Sequence, residues 1–236
     1  MRLNKFMASC GVASRRHCDE IIADGRVKIN ACLCKKMGTQ INPDIDIVTI
    51  DNRPIRIKGP FHYYMLNKPT GVVTTVSDPN GRETVMDYLP KNTGKRLYPI
   101  GRLDYNTSGL LLITNDGDTS QKLMHPSNEL GKTYLATIDG LLTSNEMDKL
   151  SKGIDIGGFV TSEAQVELAG QNNTESIYKL VIHEGKNRQV RRMFLALGYK
   201  VKKLQRVAVG KLVLGNLPVG DYRILTDDEI KYIQNL

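Results

Sequence analysis

The sequence predicts an α+β protein of two domains. Runs typical of β-strands outnumber helical ones and mix with them irregularly, which argues against a regular βαβ series. The chain has 236 residues, of which 40% are hydrophobic and 25% charged. This length and balance are typical of one or two globular domains. Gly59-Pro60 interrupts regular structure and is the best linker candidate, so we expect domains at residues 1–58 and 61–236.

The first domain begins with helical signals. Leu3, Phe6 and Met7 recur at helical spacing, and Ser14 is a candidate N-cap for a second helix over residues 15–24. Gly25 is expected to end this helix. One strand is expected at Val27-Lys28-Ile29, and another around Ile45, Ile47 and Ile50.

Aromatic, aliphatic and β-branched runs dominate the second domain. Five of them predict strands, at residues 61–66, 72–75, 109–114, 134–138 and 176–182. Two capping boxes predict the starts of short helices, at Thr143-x-x-Glu146 and Thr226-x-x-Glu229.

The clearest helical pattern covers residues 187–197. Its apolar positions follow the i, i+3, i+4, i+7 spacing of one buried face, namely Val190, Met193, Phe194 and Leu197. Three arginines fall on the other side. Of these, Arg191 lies nearest the apolar boundary, so it could point along a cleft, whereas Arg188 and Arg192 would face solvent or phosphate. An ordinary solvated position is the alternative for Arg191.

Positive charge is unevenly distributed. The net charge is +8, with +5 in residues 1–60 and +9 in residues 178–212. Two basic zones indicate a polyanionic partner that is contacted at two places. The alternative is a lysine-rich surface that serves only solubility.

The four cysteines, Cys10, Cys18, Cys32 and Cys34, lack the paired C-x-x-C spacing of zinc ribbons. This favours reduced, buried thiols, with a metal site that includes His17 as the alternative. No apolar run approaches the ~18–20 residues of a membrane helix. The N-terminus also lacks the apolar core of a signal peptide, so we expect a cytoplasmic protein that contacts no membrane.

The densest polar constellation lies at residues 101–109. Asp104 sits in a glycine-bounded loop just before an apolar strand, which is where a rigid scaffold presents a catalytic group. A turn-forming aspartate is the alternative. No H-E-x-x-H motif is present, and Gly131-Lys132-Thr133 lacks the first glycine of a phosphate loop because Pro126 takes its place.

Five segments, in order along the chain, together resemble pseudouridine synthases of the RsuA type with an N-terminal S4 RNA-binding domain. They are Ser14-Arg15-Arg16 with Gly25-Arg26-Val27, Lys68-Pro69-x-Gly71, residues 101–111, Lys132-Thr133-Tyr134 and residues 184–193. The loop variant Asp104-Tyr105-Asn106-Thr107-Ser108-Gly109, with Met124-His125-Pro126 after it, resembles the RluB/RluF-like branch that acts on large-subunit rRNA. Asn30-Ala31 departs from the usual Asn-Gly of the S4 hairpin, which predicts a turn of another type.

The resemblance implies a mixed, mainly antiparallel sheet with flanking helices and an isomerase reaction. Uracil is detached from C1′ of its ribose, rotated and rejoined through C5, with no cofactor, group donor or metal. Asp104 would attack C1′ or assist cleavage by abstracting a ribose proton, and the two routes stay open. Tyr134, otherwise an ordinary strand aromatic, would stack on the base. Arg191 would hold the Asp104 carboxylate ionised and aimed.

The implied partner is rRNA of the large subunit during ribosome assembly, bound by a monomer. The arginines expected to contact it are Arg15, Arg16, Arg26, Arg102, Arg188 and Arg192. One alternative is a non-catalytic RNA-binding assembly factor, although a binding module needs none of Asp104, Tyr134 and Arg191. Another is a synthase that acts on 16S rRNA or tRNA.

Overall fold

The computed structural model describes residues 1–57, 59–91, 94 and 96–236. These residues form two compact units. The first holds residues 1–62 with Gly94, Arg96, Leu97 and residues 115–117, and the second holds the rest. Lys58 lies outside the described residues, so the domain boundaries at residues 58 and 61 stay a prediction. No helix in the described ranges is long and apolar enough to cross a membrane.

The N-terminal unit combines two helices with a four-stranded antiparallel sheet of order β2-β1-β3-β4. Its elements are α1 (Leu3–Ser9), α2 (Arg15–Ala23), β1 (Val27–Ile29), β2 (Cys32–Cys34), β3 (Val48–Ile50) and β4 (Arg53–Pro54). Both predicted helices are confirmed. Ser14 caps α2, because its hydroxyl accepts a hydrogen bond from the His17 amide at 3.2 Å.

Two expectations for this unit are wrong. Asn30 and Ala31 both adopt positive φ, 49° and 69°, so the hairpin keeps the left-handed pair that a type I′ turn requires despite the alanine. The strand predicted around residues 45–50 begins only at Val48, because Asp46 turns back to accept a hydrogen bond from the Asn42 amide at 2.8 Å.

The four cysteines are free thiols. Cys18 is buried, Cys10 and Cys34 are half-buried, and Cys32 is exposed, so the expectation of uniformly buried thiols is wrong. Across the described ranges, no group of three His, Cys, Asp or Glu side chains is placed to hold a metal ion.

A nine-stranded sheet organises the second unit. Its main order is β13-β5-β7-β11-β8-β10-β9, with β12 on β11 and β6 on β7. Every pairing is antiparallel except that of β7 with β11, so the α+β prediction is confirmed. The strands are β5 (Tyr63–Lys68), β6 (Tyr98–Ile100), β7 (Ser108–Thr114), β8 (Lys132–Asp139), β9 (Gln165–Gln171), β10 (Glu175–Ile182), β11 (Val201–Val209), β12 (Leu212–Val213) and β13 (Tyr222–Ile224).

Helices flank this sheet over two apolar clusters. One contains Tyr178 and Phe194, and the other contains Leu110 and Ile233. The helices are α3 (Gly117–Met124), α4 (Ser144–Lys152), α5 (Gln189–Ala196) and α6 (Asp227–Gln234), with 3-10 turns at Val85–Tyr88 and Pro126–Asn128. Both predicted capping boxes are confirmed, since each threonine and glutamate exchanges reciprocal hydrogen bonds.

Three differences from the sequence expectations have local causes. The strand expected at residues 72–75 is reduced to one bridge, between Val73 and Thr84, because the neighbouring Thr74 hydroxyl binds the Leu103 backbone instead. α5 begins two residues late, because Arg188 has a left-handed φ of 51°. β11 was not predicted, since its lysines break the apolar alternation.

The one parallel pairing between the described strands of the nine-stranded sheet requires a glycine. Gly109, with φ of 107°, lies beside Arg206 on β11. A Cβ atom at residue 109 would collide with the Arg206 carbonyl oxygen. β7 and β11 can therefore approach only if residue 109 has no side chain.

We expect Gly109→Ala to destabilise the protein by more than ~2 kcal/mol, because strain and a backbone collision add. Urea unfolding measures this change. Gly170→Ala in β9 is the control, since a Cβ there meets nothing within 4 Å. Equal unfolding midpoints for the two variants would contradict the close approach of β7 and β11.

Candidate active site

A cavity of about 290 Å³ in the second unit brings together residues that are far apart in sequence. Asp104 from the loop before β7, Tyr134 from β8 and Arg188 from the start of α5 all line it. Arg102 also lines this cavity, which makes four of the predicted site residues neighbours. Arg191 is not among the lining residues.

A buried lysine holds the backbone of the Asp104 loop. Lys68 ends β5 with 0% exposure, and its ammonium donates to the carbonyls of Pro69 (2.9 Å), Asp104 (3.2 Å) and Thr107 (3.0 Å). All three of its hydrogens thus have an acceptor. Burial lowers the pKa of Lys68 to about 8, while the negative charge of Asp104 acts in the opposite direction.

The segment after Lys68 adds a second set of contacts to this loop. The Thr74 hydroxyl donates to the Leu103 carbonyl at 2.8 Å and accepts from the Leu103 amide at 3.3 Å. The Gly71 amide donates to the Tyr105 carbonyl at 2.8 Å. The residues on both sides of Asp104 are therefore fixed by backbone contacts that do not use its carboxylate.

Arg191 acts on the loop backbone and does not form the expected ion pair. Its guanidinium donates to the carbonyls of Asn106 (2.6 Å) and Val201 (2.8 Å), and within the described part of the chain no ion pair within 4.0 Å joins it to Asp104. Burial lowers the pKa of Arg191, as does the nearby charge of Arg188, while the charge of Asp104 raises it. The expected direct ion pair is therefore absent from the described residues, although the charge of Asp104 still raises the pKa of Arg191.

Tyr134 reaches the cavity because of strand alternation. It lies at the centre of the sheet, opposite Leu180 on β10 and Arg206 on β11. Its half-buried ring packs against the larger apolar cluster. Thr107 also lines the cavity, and its buried hydroxyl has no hydrogen-bond partner among the residues that the structure describes. Thr107 was not predicted as a site residue.

The arginines predicted to contact RNA differ in their availability. Arg102 and Arg188 are exposed at the cavity. Arg192 does not face open solvent as expected, because its Nη2 donates to the carbonyls of Ile156 and Gly157. In the N-terminal unit, Arg26 pairs with Asp51. The predicted RNA contacts of these residues stay predictions.

Arg15 and Arg16 form an exposed cationic pair in the N-terminal unit. Both are exposed at the start of α2. Neither takes part in a hydrogen bond or ion pair with the residues that the structure describes. Two adjacent free guanidinium groups are well suited to phosphate contacts.

Family models assign both parts of the chain. The model described as RNA pseudouridylate synthase matches residues 62–196. The chain belongs to this family. An S4 domain model matches residues 1–44, so this pseudouridine synthase carries an N-terminal S4 domain. Members of the family are isomerases, and the chain is therefore an isomerase.

Relatives match over the full chain. "Ribosomal large subunit pseudouridine synthase B" of Bacillus subtilis (strain 168) is 43% identical, covering 100% of this chain and 96% of the relative. "Dual-specificity RNA pseudouridine synthase RluF" of Escherichia coli (strain K12) is 35% identical over 100% of this chain and 80% of the relative. A solved structure titled "Crystal structure of pseudouridylate synthase" has a TM-score of 0.71 at 32% identity, covering 99% of both chains.

We expect Lys68→Met in this synthase to lower kcat about 100-fold, because a displacement of ~1 Å at a reacting group has that effect. The free energy of unfolding should change less than the activation free energy does. Removing the charge also removes the cost of burying it, which offsets part of the loss of the three hydrogen bonds. Activity of the wild type should fall as pH rises through about 8, because the neutral amine has one hydrogen fewer for the three carbonyls.

The measurement is kcat against pH, with the thermal midpoint recorded for each protein. Lys179→Met on β10 is the control, since that lysine makes only a surface pair with Glu167. If Lys68→Met retained wild-type kcat and the same pH profile, Lys68 would not position the loop.

Proposed function

We propose that this protein is an rRNA pseudouridine synthase that isomerises a uridine of 23S rRNA, with Asp104 as the catalytic carboxylate. One observation carries the proposal. A carboxylate on a backbone-anchored loop and the aromatic ring of Tyr134 line the same cavity, which at about 290 Å³ has the size of a small ligand site. The large-subunit substrate is supported by the name of the Bacillus subtilis relative.

The reaction begins with the target uridine leaving its stack, at a cost of a few kcal/mol. Asp104 then attacks C1′ or removes a ribose proton, and the bond from N1 to C1′ breaks. The freed uracil rotates on the Tyr134 ring. Its C5 bonds to C1′ as the bond from Asp104 to C1′ breaks or, on the other route, as the ribose proton returns. The C5 proton leaves and N1 takes up a proton. Atoms and electrons balance within one nucleotide, so the residues must orient the base and exclude water.

The neighbouring cations have separate tasks in this proposal. Lys68 and Arg191 position the Asp104 loop, because both donate to its carbonyls. Arg102 and Arg188, exposed at the cavity, contact phosphates of the extruded nucleotide. The S4 domain adds a second contact with rRNA. We further propose that the enzyme acts as a monomer in the cytoplasm, where rRNA is assembled into ribosomes.

We expect Asp104→Asn to abolish turnover while RNA affinity stays within a few-fold of wild type, because the amide keeps the shape but loses the charge. A 23S rRNA transcript labelled with tritium at uridine C5 reports turnover, since the C5 proton is released. Filter binding on the same RNA gives affinity. Asp148→Asn on α4 is the charge-matched control, since this exposed carboxylate pairs only with Lys152.

Substantial tritium release by Asp104→Asn would remove Asp104 from the catalytic role. Parallel reactions with 16S rRNA and tRNA transcripts test the substrate. Release from either one, with none from 23S rRNA, would reassign the target. If the wild type bound these RNAs but released no tritium, a role as a non-catalytic assembly factor would replace the proposal. Sequencing of the modified transcript then maps the uridine.

The S4 contact is tested with the double variant Arg15→Gln/Arg16→Gln. We expect weaker 23S rRNA binding and unchanged kcat. The slope of log affinity against log salt should fall by up to ~2, because each lost phosphate contact removes about 0.7–0.9 from it. Lys149→Gln/Lys152→Gln on α4 removes the same charge and is the control. If both doubles gave equal slopes, Arg15 and Arg16 would not contact RNA.

A further inference from the structure

A second cavity, of about 610 Å³, adjoins the candidate active site. Arg102, Gly185 and Lys186 line both cavities. The second cavity has a mixed lining. Leu130 and Phe159 are among its apolar residues, Glu129 and Glu184 are its carboxylates, and two cations of the sheet, Lys132 and Arg206, also line it. None of the catalytic roles described above uses these two cations.

Arg206 is a buried cation without a counterion. It is only 6% exposed, and its Nε donates to the Leu110 carbonyl at 2.8 Å. Within the described ranges, its terminal nitrogens make no hydrogen bond and are not fully buried, and no carboxylate forms an ion pair with them within 4.0 Å. A buried guanidinium is costly unless an anion or other acceptors complete its hydrogen bonds. Since Arg206 lines the cavity, an anion bound there would supply them.

Lys132 adds a second positive charge beside it. Its ammonium donates to the carbonyls of Leu130 (3.3 Å) and His183 (3.1 Å), which leaves one of three hydrogens free. Burial lowers the pKa of Lys132, the charge of Arg206 lowers it further, and the charge of Glu184 opposes both. Glu184 already accepts from Ser162, through both its amide and its hydroxyl, and from Gln189.

The strand register relates these cations to the bound base. Lys132 and Tyr134 are two residues apart on β8, so their side chains leave the same face of the sheet. Arg206 lies opposite Tyr134 on β11. An RNA strand with one base on Tyr134 therefore passes these two cations where it leaves the first cavity. The second cavity, which has apolar and charged residues in its lining, is large enough for one more nucleotide.

We propose that this second cavity holds the nucleotide adjacent to the target uridine, and that Lys132 and Arg206 bind the phosphodiester between the two. The inference rests on the proposed function and adds a site that selects RNA by the neighbouring nucleotide. A guanidinium fork and an ammonium together suit a phosphate, because charge-assisted hydrogen bonds to it are short and strong.

Lys132→Gln tests this assignment, with Lys152→Gln on α4 as the charge-matched control. We expect Lys132→Gln to raise KM and Kd for 23S rRNA about tenfold, the effect of one charge-assisted hydrogen bond. We expect kcat to stay within about twofold of wild type and the salt slope to fall by ~0.7–0.9. Arg206→Lys keeps the charge but lacks the planar guanidinium group. Its affinity for 23S rRNA should therefore lie between those of wild type and Lys132→Gln, and its thermal midpoint reports whether it is folded.

A short RNA hairpin that contains the mapped uridine locates the phosphate. One neutral methylphosphonate replaces the linkage beside the target, and binding is measured with wild type and Lys132→Gln. If Lys132 contacts that phosphate, the two losses are not additive. Additive losses at both flanking linkages would overturn the inference, as would unchanged KM and salt slope in Lys132→Gln.

Two further measurements distinguish the nucleotide site from failure of the proposed function and from a free-anion site. If wild type released no tritium from any RNA, the proposed function would fail, whereas the filter-binding slopes would still test the second cavity. Inorganic phosphate is the probe for a free-anion site. If it raised the thermal midpoint of wild type but not of Lys132→Gln, while RNA affinity was equal in both, the cavity would bind a free anion and the inference would be overturned.

Discussion

The buried ammonium of Lys68 is the interaction on which the candidate active site depends. Removing a cation from water is costly, and here three carbonyl oxygens satisfy its three hydrogens. Two of those carbonyls belong to the loop that bears Asp104. Because Lys68 is the last residue of β5, which pairs with β7 along its length, the position of the loop is set by the sheet. These contacts hold the loop without using the Asp104 carboxylate, to which we have assigned the catalytic role only as a proposal.

Sheet topology explains why two cavities lie side by side. β7 and β11 run parallel, and Gly109 lets the Arg206 backbone approach the end of the Asp104 loop. β8 pairs with β11 and carries Lys132 and Tyr134 on one face. Three neighbouring strands, with the loop before β7, thus supply Asp104, the Tyr134 ring and the two cations. Gly109 permits the approach of β7 to β11, and the pairing of β8 with β11 completes the candidate site.

Local features of the sequence predicted much of this arrangement. The apolar strand at residues 109–114 indicated that the Asp104 loop before it is a candidate site. Helical spacing predicted both ends of α5 to within two residues of the observed ones. Contacts between distant segments could not be predicted in the same way. Lys68 entered only as part of the segment Lys68-Pro69-x-Gly71 of the family resemblance, and its contacts were not predicted, because two of its acceptors lie 36 and 39 residues further along the chain. The backbone partners of Arg191 were not predicted for the same reason, since the pattern on a helix defines a face but not what covers it.

The basic segment at residues 178–212 shows why net charge is a poor count of RNA contacts. Its charge of +9 indicated a nucleic-acid surface. Two of its arginines, Arg191 and Arg192, donate through their terminal nitrogens to backbone carbonyls of the protein itself. Their guanidinium groups hold loops and strands in place as well as adding to the electrostatic field. Because only cations that reach phosphates release counterions, the salt dependence of binding should reflect fewer contacts than the number of charges.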